Sequence, residues 1–249
     1  MFFHQYKKTG SQRLGQIAIF VLVPVVLVLG GIRVFLSEAW VKYEYSRPTF
    51  PNDDFGFSYQ EREKFGTDGI QYLVSNNDIE FLATKTYGRG PLFTQKELLH
   101  MQDVKGLVSL LRWTLRIAVV ALIGISLWLA KDNEGRKLII QTTVMAGLIT
   151  LNFMLIAAVV VMLDFDVVFE EFHRVFFAPE SWQFSEASTL IRLYPPRFWV
   201  DTTAALIGLV TILSGVLAII PIGERILIKR KSLWDRLDDL IKKLLPFLR

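Results

Sequence analysis

Four apolar runs constrain this chain more than any other feature. They cover residues 14–36, 107–130, 138–163 and 202–222. Each approaches or exceeds the ~20 residues an α-helix needs to cross a hydrocarbon core of about 30 Å. A chain with four such runs folds as an all-α polytopic membrane protein, because only helices and closed barrels satisfy their backbone hydrogen bonds in lipid. The segments between the runs predict a small, mainly helical outer domain, and the tail a C-terminal amphipathic helix.

Basic residues set the orientation. Lys7, Lys8 and Arg13 precede the first run, Lys131, Arg136 and Lys137 join the second to the third, and Arg225, Lys229, Arg230 and Lys231 follow the fourth. Four crossings bring all three groups to one side, so residues 1–13, 131–137 and 223–249 are expected to be cytoplasmic. The outer segments, 37–106 and 164–201, carry 11 acidic against 8 basic and 7 acidic against 3 basic residues. The net charge of +4 thus reflects membrane topology, and no nucleic-acid partner is needed to explain it. Ser37-Glu38-Ala39 is a poor cleavage site and the first run exceeds the usual 7–15 residues of a signal peptide, so an uncleaved anchor is expected. The chain has no cysteine, which excludes disulfides, a thiol nucleophile and its own lipidation.

In the first outer segment Pro48, Pro51, Asn52 and Asp53 mark turns after the interfacial cluster Trp40, Tyr43 and Tyr45. Phe65, Ile70, Leu73 and Val74 read as one helix face. Thr94 with Glu97 forms a capping box, opening a helix expected to run directly into the second span. Asn76-Asn77-Asp78 lies between the two. The second outer segment is expected to prolong the third span through Asp164 to Phe177, turn at Pro179, and close at Pro195-Pro196. In the tail, Ser232 and Asp235 form another capping box. Leu233, Trp234, Leu237, Leu240, Ile241, Leu244 and Leu245 recur at helical spacing, which predicts a helix lying on the inner leaflet or on a partner.

Of the three histidines, His4 falls in the cytoplasmic tail. His100 lies about two turns before the second span and His173 about three turns past the third. If those spans form a hairpin, both imidazoles stand at similar heights and can share a pocket as general base and general acid. Two hydrogen-bonded structural histidines are the alternative. Asp103 and Glu170 are each three residues from a histidine, and Asp166, Glu170 and His173 form a row, so all three carboxylates are candidates for orienting an imidazole. Glu170 paired with Arg174 is the competing expectation. No HExxH spacing is present, and neither a metal nor another cofactor is expected.

Arg112 and Arg116 lie one turn apart inside the second span, and Arg33 near the outer end of the first. An arginine at a helix centre costs about 2.5–3.5 kcal/mol on insertion scales. Snorkelling, pairing with Asp164 or Asp166, or binding a lipid headgroup or ester oxygen in a wet cavity would each account for them; the cavity is the favoured expectation. Asn152 reads as helix–helix glue.

Three segments carry a more specific signal: LFTQKELLHMQDVK from Leu92 to Lys105, FHRVFF from Phe172 to Phe177 with Trp182 following, and LIRLYPPRFW from Leu190 to Trp199. Together they resemble the bacterial four-helix membrane protein family that includes the lipoprotein intramolecular transacylase, Lit. The resemblance implies an acyltransferase of the bacterial cytoplasmic membrane, acting at its outer face. Its partners would be membrane lipids and diacylated lipoprotein N-termini. One acyl chain would move from the diacylglyceryl group to the N-terminal cysteine amine, giving the lyso-form. It also implies that His100 and His173 are the catalytic pair, with Arg112 or Arg116 available for the oxyanion. A phospholipid esterase or transacylase would use the same residues, and a non-enzymatic sensor or assembly subunit would use neither histidine.

Overall fold

The computed structural model describes residues 9–219; the expected C-terminal amphipathic helix lies outside them. In chain order the elements are α1 (Gly10–Phe35), α2 (Glu38–Ser46), α3 (Tyr59–Val74), α4 (Glu80–Ala83), β1 (Thr86–Tyr87), β2 (Gly90–Pro91), α5 (Gln95–Leu129), α6 (Asn133–Leu163), α7 (Phe165–Phe176), α8 (Thr189–Leu193) and α9 (Pro196–Ile219). Helices α1, α5, α6 and α9 are each long and apolar enough to cross a membrane.

The four long helices form a bundle around α1, which packs on α5 and α6 and meets α9 where Gly31 faces Leu206 and Val210. Gly147 of α6 lies against Leu217 and the backbone of Ser214 in α9. Small residues at such crossings let backbones approach, which is how helices associate where lipid removes the hydrophobic drive. The outward faces are apolar: Leu110, Ile117, Val120, Phe153, Ile156 and Ile212 are all exposed. The 35 residues of α5 span roughly 52 Å at 1.5 Å each, well beyond the hydrocarbon thickness. Its polar first turns, before residue 107, therefore stand clear of the lipid core.

Helices α2–α4, the β1–β2 hairpin and α8 build a cap on the end of the bundle where α5 and α9 begin. Its core joins Val41, Tyr45, Phe65, Leu82, Phe93, Met101, Leu193 and Phe198. Across this core, Arg192 donates through Nε and Nη2 to the two oxygens of Asp53, both at 2.9 Å. Burial would raise the Asp53 pKa, but the Arg192 bonds and the amides of Phe57 and Phe55 outweigh it and hold it below the usual range. Arg62 donates to the carbonyls of Pro51 and Arg192, and Tyr194 Oη donates to the Gly66 carbonyl at 2.6 Å.

Three seams tie the cap to the bundle. Arg112 Nη1 donates to the carbonyl of Val74, the last residue of α3, at 2.6 Å. Lys105 reaches the Asn77 carbonyl and lies over the Tyr72 ring. Arg47 bridges the buried Glu44 to Asp201 of α9, beside a 2.8 Å bond from Trp40 Nε1 to Thr202 Oγ1.

Close approach dictates glycine in α3. A Cβ at Gly69 would collide with Tyr194 Oη, and that hydroxyl is buried and committed to Gly66, so it has nowhere to retreat. Gly69→Ala is expected to destabilise the cap by about 1–3 kcal/mol, the usual cost of overpacking. A lowered melting midpoint in detergent would reveal it.

Two local features depart from the sequence expectation. The third span does not continue unbroken to Phe177. Asp164 leaves the helical region (φ −158°, ψ 93°), ending α6 and capping α7 by accepting from the Val167 amide at 3.1 Å. A carboxylate that captures a nearby amide offers the backbone an alternative to the helix. The second is the hairpin, in which Tyr87 pairs with Gly90 across Gly88 at φ +60°, a backbone region that favours glycine.

Candidate active site

His100 occupies the second turn of α5 and His173 the last turn of α7. Glu97, the N3 residue of α5, fixes the first of these positions. Its Oε2 accepts from the Thr94 amide and hydroxyl, each at 2.8 Å, completing the capping box. Its Oε1 reaches across and accepts from the Leu190 amide of α8 at 2.9 Å. A fully buried carboxylate thus locks the base of His100 to the segment that returns from His173.

The break at Asp164 lets α7 leave the axis of α6 and bring His173 back over α5. The two imidazole centroids lie 6.2 Å apart with the rings inclined by 23°. The two rings thus belong to one enclosure, as a pair of acid–base groups serving one substrate must. His173 Nδ1 is 2.7 Å from the Phe169 carbonyl. A carbonyl only accepts, so Nδ1 carries the proton and Nε2 keeps its lone pair in the neutral ring. His100 Nδ1 is buried without a partner.

Aromatic rings enclose the pair. Phe177 and Phe184 sit 5.0 and 5.5 Å from His100, while Phe169 and Trp182 sit 4.0 and 4.9 Å from His173. His100 is only 8% exposed. Burial, then the neighbouring His173 and Lys96, lower its pKa to about 4. Burial also lowers that of His173, against an upward pull from the Phe169 carbonyl. Both rings are therefore neutral near pH 7. Lys96 is bonded to the Gln183 carbonyl at 2.7 Å and lies over the Phe184 ring, so it pins this aromatic loop beside His100.

The depressed pKa carries a stability consequence. Above about pH 6.5, the ordinary histidine value, His100 is neutral whether folded or not. Below it the unfolded chain takes up a proton that the folded chain refuses, so stability falls as pH drops toward 4. The melting midpoint is expected to decline over that window, and less steeply in His100→Gln.

The candidate carboxylates fall elsewhere. Asp103, Asp166 and Glu170 are exposed, and none is bonded to an imidazole. Arg174 pairs with Glu171, not Glu170, at 2.7 Å. Backbone supplies the orienting group at His173, through Phe169. Among the described residues no third histidine, aspartate or glutamate joins the pair to make a metal-ligand cluster. The arginines pair with neither Asp164 nor Asp166: Arg112 holds Val74, Arg116 lies over the Trp113 ring at 4.8 Å, and Arg33 donates to the Leu36 carbonyl at 3.1 Å. Arg112 is also about 18 Å along α5 from His100, at 1.5 Å per residue. Phe169, Phe177, Phe184, Lys96 and the cross-link from Glu97 were not singled out in the sequence as parts of the site. The i, i+4, i+8 spacing of Phe169, His173 and Phe177 was the available signal.

Fold and site together define a polytopic membrane protein with an enclosed two-imidazole centre at one end of its bundle. The model of the lipoprotein intramolecular transacylase Lit family matches residues 17–199, and the chain belongs to that family. A relative from Aquifex aeolicus, an uncharacterized protein, is 27% identical over 213 residues, which is 83% of this chain and 95% of the relative. The solved structure of the membrane integral lipoprotein intramolecular transacylase Lit from Bacillus cereus matches 89% of this chain and 98% of its own, with a TM-score of 0.68 at 15% identity. A histidine-to-alanine variant of the same protein matches 89% of this chain with a TM-score of 0.65. These structures share the fold.

Proposed function

We propose that this protein moves one acyl chain within a diacylated lipoprotein, from the glyceryl ester to the α-amine of the N-terminal cysteine. The observation that carries this reading is the pair of neutral imidazoles 6.2 Å apart, enclosed by aromatic rings at the cap end of a helical bundle, in a chain of the Lit family. Such a transfer needs a base for the ammonium, an acid for the departing glycerol oxygen, and positive charge near the oxyanion. His173, with its tautomer set by Phe169, is suited to take the amine proton at Nε2. The free amine attacks the ester carbonyl, the C–O bond to glycerol breaks, and the proton taken up by His173 passes through His100 to the leaving oxygen, which returns both rings to the neutral form. Starting from an ammonium, one proton ends on the glycerol hydroxyl and one in solvent. Lys96 brings positive charge beside His100.

The enclosing rings favour aminolysis over hydrolysis, because an apolar site excludes water while admitting an acyl chain. Orientation follows from charge. Arg13, Lys131, Arg136 and Lys137 gather at the end of the bundle opposite the cap, so the positive-inside rule puts both termini in the cytoplasm and the imidazoles outside. The test is conversion of a synthetic diacylated lipopeptide by the purified protein in detergent. Amine reactivity should disappear as a free glyceryl hydroxyl appears; a peptide that stays amine-reactive beside folded protein rejects the reading.

A further inference from the structure

Two of the arginines that the imidazole site leaves unused, Arg33 and Arg112, lie together. Arg33 of α1 and Arg112 of α5 line one cleft between those helices, with Leu29, Ile32, Leu36, Val108, Leu111 and Leu115 as its walls. Both are close to the cap end of their helices, within the first ~8 Å of the apolar region at 1.5 Å per residue. Among the described residues neither forms an ion pair with a carboxylate. Each spends one Nη1 bond on a carbonyl, Leu36 for Arg33 and Val74 for Arg112. Arg112 Nε is buried with no partner. Two guanidiniums therefore carry spare donors and uncompensated charge at the top of a shallow apolar groove between two membrane-spanning helices.

We propose that this cleft binds a phospholipid of the surrounding leaflet, with its phosphate between Arg33 and Arg112 and one acyl chain along the leucine-lined wall. Charge complementarity selects the occupant. A phosphodiester offers the anionic oxygens that guanidinium groups match bidentately, whereas a diacylglyceryl thioether carries no charge there. The membrane supplies such lipids continuously at this depth. The site is separate from the imidazoles, and it accounts for keeping a costly arginine inside a membrane helix. A bound phosphate would also hold Arg112 in the position from which it clamps the end of α3, so lipid and cap should stabilise one another.

The experiment is native mass spectrometry of the delipidated full chain with phosphatidylglycerol, phosphatidylethanolamine or diacylglycerol added in detergent. Both phospholipids are expected to bind at least tenfold tighter than diacylglycerol. Arg33→Ala is the informative variant, since Arg33 is exposed and its removal costs one bond to Leu36. It should weaken phosphatidylglycerol binding about tenfold, while Arg33→Lys retains most of it and the lipid-free melting midpoint of either stays unchanged. His100→Ala should bind phosphatidylglycerol as the native chain does, which separates this site from the proposed reaction. Equal retention of diacylglycerol, or an Arg33→Ala variant with undiminished phospholipid affinity, would overturn the proposal.

Discussion

His100→Ala and His173→Ala are each expected to lower the rate of acyl transfer about a thousandfold, with the protein still folded. Positioned acid–base groups contribute 10²–10⁴-fold apiece, and the two rings act on one reacting centre. Their losses should accordingly fail to add, the double variant being little slower than the worse single one. The stability of each variant separates chemistry from packing. His173 is half-buried and touches Phe169, Phe172 and Trp182, so some loss of melting temperature accompanies its removal. The activity loss must far exceed what that shift explains. A His100→Ala protein that keeps activity within tenfold of the native rate would reduce the imidazole to a piece of the aromatic core.

Glu97→Ala is expected to cost about 3 kcal/mol of stability and to abolish activity. The carboxylate is 1% exposed and accepts three hydrogen bonds from Thr94 and Leu190. Bonds to a charged acceptor are worth roughly 1.5–3 kcal/mol each, and truncation strands the buried backbone amide of Leu190. The Leu190 bond is the one that matters for function, because it holds α8 and the loop bearing Trp182 and Phe184 against the start of α5. Glu97→Gln keeps the shape but turns one acceptor oxygen into a donor, so about half of the loss should remain. Denaturation in detergent gives the energies, and limited proteolysis between residues 178 and 188 reports whether the loop is released. A Glu97→Ala chain within about 0.5 kcal/mol of native, with the loop still protected, contradicts this role.

The bundle was legible because hydrophobic length is a strong signal. The Thr94–Glu97 box was legible because capping is local, four residues reporting on one turn. That His100 and His173 would meet followed from placing both at the same end of adjacent spans. What the sequence hid was mostly backbone. Arg112 finds its partner in the carbonyl of Val74, 38 residues earlier, and His173 finds its own in the carbonyl of Phe169; no residue type advertises a main-chain acceptor. Helical spacing also misled at Asp103, Asp166 and Glu170. Sharing a turn with a histidine brings a side chain near it, but His100 turns into the core while Asp103 faces solvent. At Asp164 the apolar pattern runs on through the break, so periodicity alone gave one helix where a single carboxylate makes two. The Asp53–Arg192 pair spans 139 residues and closes only once the cap has folded.

The shift of an acyl chain from oxygen to nitrogen within one molecule leaves its mass unchanged, so intact mass is blind to it. The direct measurement is tandem mass spectrometry of the N-terminal lipopeptide of a diacylated lipoprotein, isolated from membranes with and without this protein. The expected result is a fragment series that places one acyl group on the cysteine nitrogen and leaves a monoacyl glyceryl thioether, appearing only when His100 and His173 are both present. Fragments that keep both acyl groups on the glyceryl moiety, from membranes containing the folded native chain, would contradict the assignment.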